Sequence, residues 1–131
     1  MNEIDDSTAS VAEIHLSPTQ NAPGDARRFV ADVLDGHAAV ESAKLLISEL
    51  VTNAVLHGGR DAGRVTVIVG REPEHDRVRL EVSQAKHPGF EYLDQEPGHL
   101  GPTGRGLMIV DAVATDWGFD SESGSVWVIL G

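Results

Sequence analysis

The longest run of helical periodicity in the chain covers residues 40–57 and is closed by Gly58-Gly59. Its apolar residues recur three and four positions apart, which is the spacing of one face of an α-helix. Residues 65–69 then form a β-branched run and residues 78–82 alternate apolar with polar, so they predict two strands joined by a turn at 74–76. A long helix followed by a hairpin restricts the chain to folds in which helices cover a sheet.

The remaining segments extend this pattern. Residues 12–16 predict a weak first strand, broken by Pro18 and by residues 21–24, and a helix follows from Asp25 to the glycine signal at Gly36. A third helix is predicted over 106–114, with strands at 117–119 and 125–130. We therefore predict one α/β (α+β) domain over residues 11–131, preceded by a flexible acidic tail at 1–10. Its expected architecture is a two-layer sandwich with a mostly antiparallel sheet and helices on one face.

The amino-acid composition excludes some classes of function and disfavours others. The chain has 131 residues, enough for one core, and no cysteine, which excludes disulfides and thiolate metal sites. Ten basic against twenty-one acidic residues give a net charge of −11, which disfavours direct nucleic-acid binding and leaves solubility or a basic protein partner as its role. There is neither a membrane-spanning run nor a secretory signal, so a cytoplasmic protein is expected.

Three polar residues are spaced four positions apart on the long helix: Glu49, Asn53 and His57. They are predicted to project from the side nearly opposite the apolar stripe. That stripe consists of Ile47, Leu50, Val51 and Ala54. Spacing alone favours a solvated helix face, so the rest of the chain must decide whether these residues carry chemistry.

The segment 84–105 is rich in glycine, proline and histidine and lacks periodicity. Segments of this length are usually functional lids or disordered, and we expect mobility over 90–103. At its end, Gly104 and Gly106 flank Arg105 where a helix is predicted to begin. A glycine turn that enters a helix directs backbone N–H groups at an anion, although an ordinary loop-to-helix junction has the same signature.

The stretch ELVTNAVLHG (residues 49–58) together with TGRGLMIVDAVATDWG (residues 103–118) resembles the GHKL (Bergerat-fold) ATPase superfamily. The resemblance extends over residues 23–130. Within the superfamily, the chain is most similar to stand-alone anti-sigma-factor serine/threonine kinases of the actinobacterial type. This resemblance implies ATP and Mg²⁺ as cofactors, and a sigma factor or an anti-sigma-factor antagonist protein as the partner. Relatives usually act as homodimers, and the sequence leaves the oligomeric state open.

The resemblance assigns a role to each polar residue of the long helix. Asn53 is the Mg²⁺ ligand, since Mg²⁺ takes oxygen ligands and the phosphates complete its shell. Glu49 is the catalytic base that accepts a proton from a hydroxyl or from water. His57 is placed at the phosphate end of the pocket, although a histidine in the last turn of a helix is also favoured by the helix dipole.

Further nucleotide contacts follow from the same resemblance. Ser125 stands where relatives often carry a threonine near the adenine, and a strand residue with an exposed hydroxyl is the alternative. The full set of expected nucleotide-binding positions outside the long helix is Gln84, Gly89, Thr103, Gly104, Arg105, Gly106, Leu107 and Ser125.

The chain departs from the superfamily at the base-binding position. Gln84 stands where an aspartate normally accepts a hydrogen bond from the adenine amino group, and Lys86 replaces a glycine. A carboxamide can still complement adenine, but it loses the charge-assisted bond. Two hypotheses therefore remain: a kinase with weakened ATP binding that phosphorylates an antagonist, or a non-catalytic interaction module on the same fold.

Overall fold

The computed structural model describes residues 10–58, 63–72, 74, 76–84, 106–120 and 125–131. Its elements in chain order are β1 (Ser10–Leu16), α1 (Ala22–Val33), α2 (Val40–Gly58), β2 (Val65–Glu72), β3 (Arg77–Gln84), α3 (Gly106–Val113), β4 (Asp116–Asp120) and β5 (Ser125–Leu130). Each predicted helix and strand is present. The tail predicted at 1–10 lies outside the described residues except for Ser10, which begins β1. The lid predicted at 90–103 also lies outside them.

The five described strands form one sheet in the order β1-β2-β3-β5-β4, and all of their pairings are antiparallel. Val67, Val82 and Val126 lie in register across the three central strands, and all are buried. Because side chains alternate between the faces of a strand, this row marks the face that the helices cover. The predicted two-layer α+β architecture is confirmed.

The core fills the space between this face and the helices. Its fully buried members from the helices include Ala26, Val30, Leu46, Ile47 and Val51, and those from the strands include Val65, Val69, Val78, Leu80 and Val128. Within the described residues, no helix is long and apolar enough to cross a membrane.

The start of α1 corrects the sequence prediction. The helix begins at Ala22, three residues before the predicted Asp25, with Pro23 in its first turn. Proline is accepted there because the first N–H groups of a helix have no partner within it. The predicted end is confirmed, since the chain turns at Gly36 with φ of +80°.

Candidate nucleotide site

Asn53 lies in the buried part of α2, and this corrects the predicted division of the helix. Its exposed fraction is 2%, and Leu46, seven residues earlier, is fully buried. Residues seven apart differ by only about 20° around a helix, so the two share a side. The buried arc of α2 is wider than predicted because α1, β3 and α3 all pack against this helix. A solvated helix face therefore does not explain Asn53.

The other two polar residues of α2 are more accessible. Glu49, one turn before Asn53, is half-buried, and His57 in the last turn is exposed. Both take part in interactions within the protein. The three residues therefore differ in exposure: Asn53 is buried, Glu49 is half-buried and His57 is exposed. They do not form one uniform exposed ridge.

Gln84, the last residue of β3, is also buried, with 2% exposed. It lies opposite Val65 and follows Val82 in alternation, so it belongs to the helix-covered face. Its Nε2 donates a hydrogen bond to the carbonyl oxygen of Gly63, at 2.9 Å. The side chain at the expected base-binding position is thus bound to the segment that leads into β2.

Asn53 and Gln84 belong to the same end of the domain. Only residues 59–62 separate the end of α2 from Gly63, the residue that Gln84 contacts. Five peptide steps span at most about 18 Å, so the end of α2 stays close to the end of β3. Both buried carboxamides therefore lie between the sheet and the helices, in elements whose ends are connected through residues 59–63.

Ser125 is placed differently. It is buried, with 3% exposed, and lies directly opposite Ser83 at the start of β5. Residues opposite one another share a sheet face, so Ser125 belongs by register to the face away from the helices. The register does not bring Ser125 and Gln84 to the same face.

The glycine motif is only partly within the described structure. Gly106 is the first residue of α3, as predicted from the helical pattern, and Leu107 follows it in the helix. The side chain of Leu107 is outside the described part. The expected nucleotide contacts Gly89, Thr103, Gly104 and Arg105 also lie outside the described residues.

The described residues supply few side chains that could bind a metal ion. In the described residues, no three His, Asp or Glu side chains (the chain has no cysteine) come together to hold a metal. Asn53 offers one neutral oxygen from a buried position, which fits Mg²⁺ when phosphate oxygens and water supply the other ligands. The residues present therefore fit a metal that is held jointly by the protein and a nucleotide.

A separate groove of about 650 Å³ lies between α2 and the residues around the start of α1. Thr52, Val55 and Leu56 form one wall, and the turn before α1 forms the other. Among the residues that the structure describes, no predicted nucleotide contact lines this groove. The sequence did not predict the contribution of Gly63, which accepts the hydrogen bond from Gln84. Its acceptor is a backbone carbonyl, which every residue type has, so the sequence carries no signal for it.

Comparison with known proteins defines the class. Residues 16–130 match the family described as the histidine kinase-like ATPase domain, and the chain belongs to this family. The predicted membership of the GHKL superfamily is confirmed.

Among solved structures, the chain is similar to the RsbU and RsbW domains of Rv1364c from Mycobacterium tuberculosis. The TM-score is 0.64 at 20% identity, with 92% of this chain and 31% of that chain covered. The likeness supports the fold, and this chain spans about a third of the protein it matches. No curated protein sequence matches this chain.

Proposed function

We propose that this protein is an ATP-binding regulatory protein that phosphorylates a serine or threonine of a small antagonist protein and sequesters a sigma factor. The observation that carries the proposal is the burial of Asn53 on α2, one turn after Glu49, in a chain of the histidine kinase-like ATPase family. Burying a carboxamide costs free energy unless its polar atoms are bonded, and a bound Mg²⁺ would take the side-chain oxygen of Asn53 as a ligand. Likeness to a protein with an RsbW domain supports the choice of partner class.

The roles of the residues follow from phosphoryl transfer. The hydroxyl oxygen of the substrate forms a bond to the γ-phosphorus, and the bond from that phosphorus to the bridging oxygen breaks, which releases ADP. Glu49 accepts the hydroxyl proton. Its side chain is only half-buried, so a hydroxyl group of a protein substrate can approach the carboxylate from solvent.

Asn53 would hold Mg²⁺ through its side-chain oxygen. When bound, the metal neutralises negative charge on the phosphates. The described chain supplies one ligand and no carboxylate cluster, so metal binding should require the nucleotide.

Calorimetric titration of the full chain with ATP, with and without Mg²⁺, tests this proposal. We expect binding at micromolar to millimolar ATP that is strengthened by Mg²⁺, and Asn53→Ala should remove the Mg²⁺ dependence. Ser48→Ala, a change at a half-buried polar position on another side of α2, is the matched control. The absence of both binding heat and a thermal shift at millimolar ATP would exclude the kinase.

One observation favours the non-catalytic alternative. The amide nitrogen of Gln84 already donates to Gly63, and this residue lacks the carboxylate that relatives use for adenine. In that alternative the domain binds its protein partner with nucleotide bound weakly or not at all. The same titration distinguishes the two, because the interaction module predicts no Mg²⁺-dependent heat.

A further inference from the structure

The outer face of the sheet, which the described helices do not cover, bears a row of residues that crosses four strands. The row consists of Val11, Gly70, Arg79 and Ile129, each opposite the next. Their neighbours along the strands, such as Val128, belong to the core, so the row faces away from the helices. Val11 is 73% exposed and Ile129 is half-buried. This face therefore presents apolar side chains at the surface of the described structure.

A groove of about 200 Å³ lies along this row, at the end of the sheet where β1 begins. Gly70 leaves a gap between Val11 and Arg79, because a Cβ at this position would meet nothing closer than 3.8 Å. Ser10, the first residue of β1, also lines the groove. The segment that precedes β1 therefore joins the sheet directly at this groove.

The groove is positively charged, although the whole chain has a net charge of −11. Among the described residues, Arg71, Arg77, Arg79 and Glu72 are the charged side chains that line it, so their charges sum to +2. Arg77 lies 3.5 Å from Glu72, and Arg79 lies 3.3 Å from Glu81. Both of these arginines are about half exposed, and in the described part of the chain Arg71 has no acidic partner. The groove can therefore pair with further carboxylates.

Residues 1–9, which lie outside the described structure, have the opposite charge. They include Glu3, Asp5 and Asp6 but no basic side chain, and the apolar Ile4 stands among the acidic residues. Nine residues span up to about 30 Å, whereas neighbouring strands are about 4.8 Å apart. From Ser10 the segment is therefore long enough to reach every strand of the outer face.

Attachment at Ser10 favours this segment over a separate acidic partner. Exposed ion pairs are individually weak, so a free acidic peptide at low concentration would bind this groove poorly. A segment joined by a short flexible connection has an effective concentration in the millimolar range. The same weakness of each pair makes the attraction sensitive to salt.

We propose that residues 1–9 of this chain dock in the arginine-lined groove on the outer face of the sheet. The acidic side chains pair with the arginines, and Ile4 covers the apolar row at the gap left by Gly70. Docking requires no nucleotide, so its test is independent of the proposed kinase activity.

The two tryptophans of the chain lie on opposite faces of the sheet and can report on docking. Trp127 alternates with core residues of β5 and lies on the outer face, with its ring centre 5.2 Å from Cζ of Arg79. Trp117 packs against the core on the helix-covered face. Each tryptophan gives one indole N–H signal in an NMR spectrum, so the two faces are observed separately.

A nitroxide spin label at Asn2→Cys, in the full chain without ATP, broadens the signals of nuclei that it approaches. The chain has no cysteine of its own, so the label attaches only at this position. At about 0.01 M salt we expect the Trp127 indole signal to broaden at least about threefold more than that of Trp117, and about 1 M salt should remove the excess. Equal broadening at low salt, or an excess that persists at high salt, would overturn the proposal.

Charge variants test the pairing itself. Arg71→Gln with Arg77→Gln should reduce the excess broadening of Trp127 by at least about threefold, because two of the pairing groups are lost. Arg27→Gln with Arg28→Gln is the matched control, since it removes the same charge from exposed positions on α1 and should leave the excess unchanged. An equal reduction in both variants would show that net charge alone is responsible and would contradict docking in this groove.

A mixed sample distinguishes docking within one chain from contact between copies. Spin-labelled chain at natural isotope abundance is mixed with ¹⁵N chain that carries no spin label. We expect no excess broadening of Trp127 in this mixture. An excess as large as in the singly labelled ¹⁵N chain would assign the groove to the segment of another copy, and the proposal would be wrong.

Discussion

The side-chain amide of Gln84 donates a hydrogen bond of 2.9 Å to the carbonyl oxygen of Gly63, which ties the end of β3 to the residue just before β2. The residue that the family resemblance assigns to the adenine contact therefore has an internal structural role in this chain. A change at Gln84 should therefore affect folding stability and nucleotide binding to different extents, and the two effects can be measured independently.

Gln84→Asp is expected to move these two properties in opposite directions. It removes the donor to Gly63 and buries a carboxylate near a carbonyl, at a cost of about 1–3 kcal/mol in unfolding free energy. If Gln84 faces the base, the new carboxylate should tighten ATP by about tenfold. Urea unfolding and calorimetry measure the two effects, with Gln84→Met as the control that should lose stability without gaining affinity. Weaker or unchanged ATP binding would remove Gln84 from the base site.

Glu49→Gln should abolish transfer while preserving binding. The change keeps the size of the side chain and removes its capacity to accept a proton, so transfer to the antagonist protein should fall by about 10²–10⁴-fold. ATP affinity should stay within about twofold, because the base acts on the hydroxyl rather than on the nucleotide. Glu41→Gln, in the exposed first turn of the same helix, is the control. A fall in transfer that is no larger than in the control would exclude Glu49 as the base.

Gly118→Ala should destabilise the edge of the sheet. A Cβ at this position would lie 2.8 Å from Cζ2 of Trp127, so the indole ring must move, at a cost of about 1–3 kcal/mol. Gly70→Ala is the matched strand control, because its Cβ would meet nothing closer than 3.8 Å. Thermal unfolding of the two variants should show a clear loss only for Gly118→Ala; equal melting temperatures would mean that the ring adapts freely.

His37 should contribute to stability through the start of α2. Its buried ring accepts a hydrogen bond at Nδ1 from the backbone N–H of Ala39, at 2.9 Å. His37→Ala should therefore cost about 1–2 kcal/mol from the lost acceptor, with a further loss from packing.

The other side of the His37 ring supplies the control. Nε2 lies 3.0 Å from Asp76 Oδ1 but without the angle of a hydrogen bond, and the Asp76 side chain is 77% exposed. Asp76→Asn should cost less than about 1 kcal/mol, since exposed pairs are screened by water and asparagine tolerates the positive φ of 52° at this position. Denaturant unfolding that ranks Asp76→Asn as the more damaging change would contradict this assignment.

Leu45 and Leu46 provide a comparison between neighbours on α2. Leu46 is fully buried in the core, whereas Leu45 is 45% exposed. Leu46→Ala should cost about 2–5 kcal/mol through lost burial and a cavity, and Leu45→Ala less than about 1 kcal/mol. If urea unfolding gives the two variants similar losses of unfolding free energy, Leu46 does not belong to the core side of α2 and Leu45 to its solvent side.

The elements themselves could be predicted because they depend on local periodicity. The alternation at 78–82 and the β-branched run at 65–69 predict strands, and the glycine at 36 predicts a helix end, from neighbouring residues alone. The start of α1 was misplaced because Pro23 and Gly24 were interpreted as breakers, although a proline in the first turn costs no hydrogen bond. Among the candidate site residues, Asn53 was predicted to lie on the side of the helix opposite its apolar stripe, whereas the structure places it in the buried part.

By itself, the sequence determined the order of helices and strands and the family to which the chain belongs, and it named candidate residues for phosphoryl transfer. Only the tertiary structure decided that Asn53 is buried, that Gln84 is bound to Gly63, and that Ser125 lies across the sheet from Gln84. The physical reason is that periodicity acts between residues a few positions apart. Burial and register depend on how many elements pack against a given face, and that is settled only when distant segments come together.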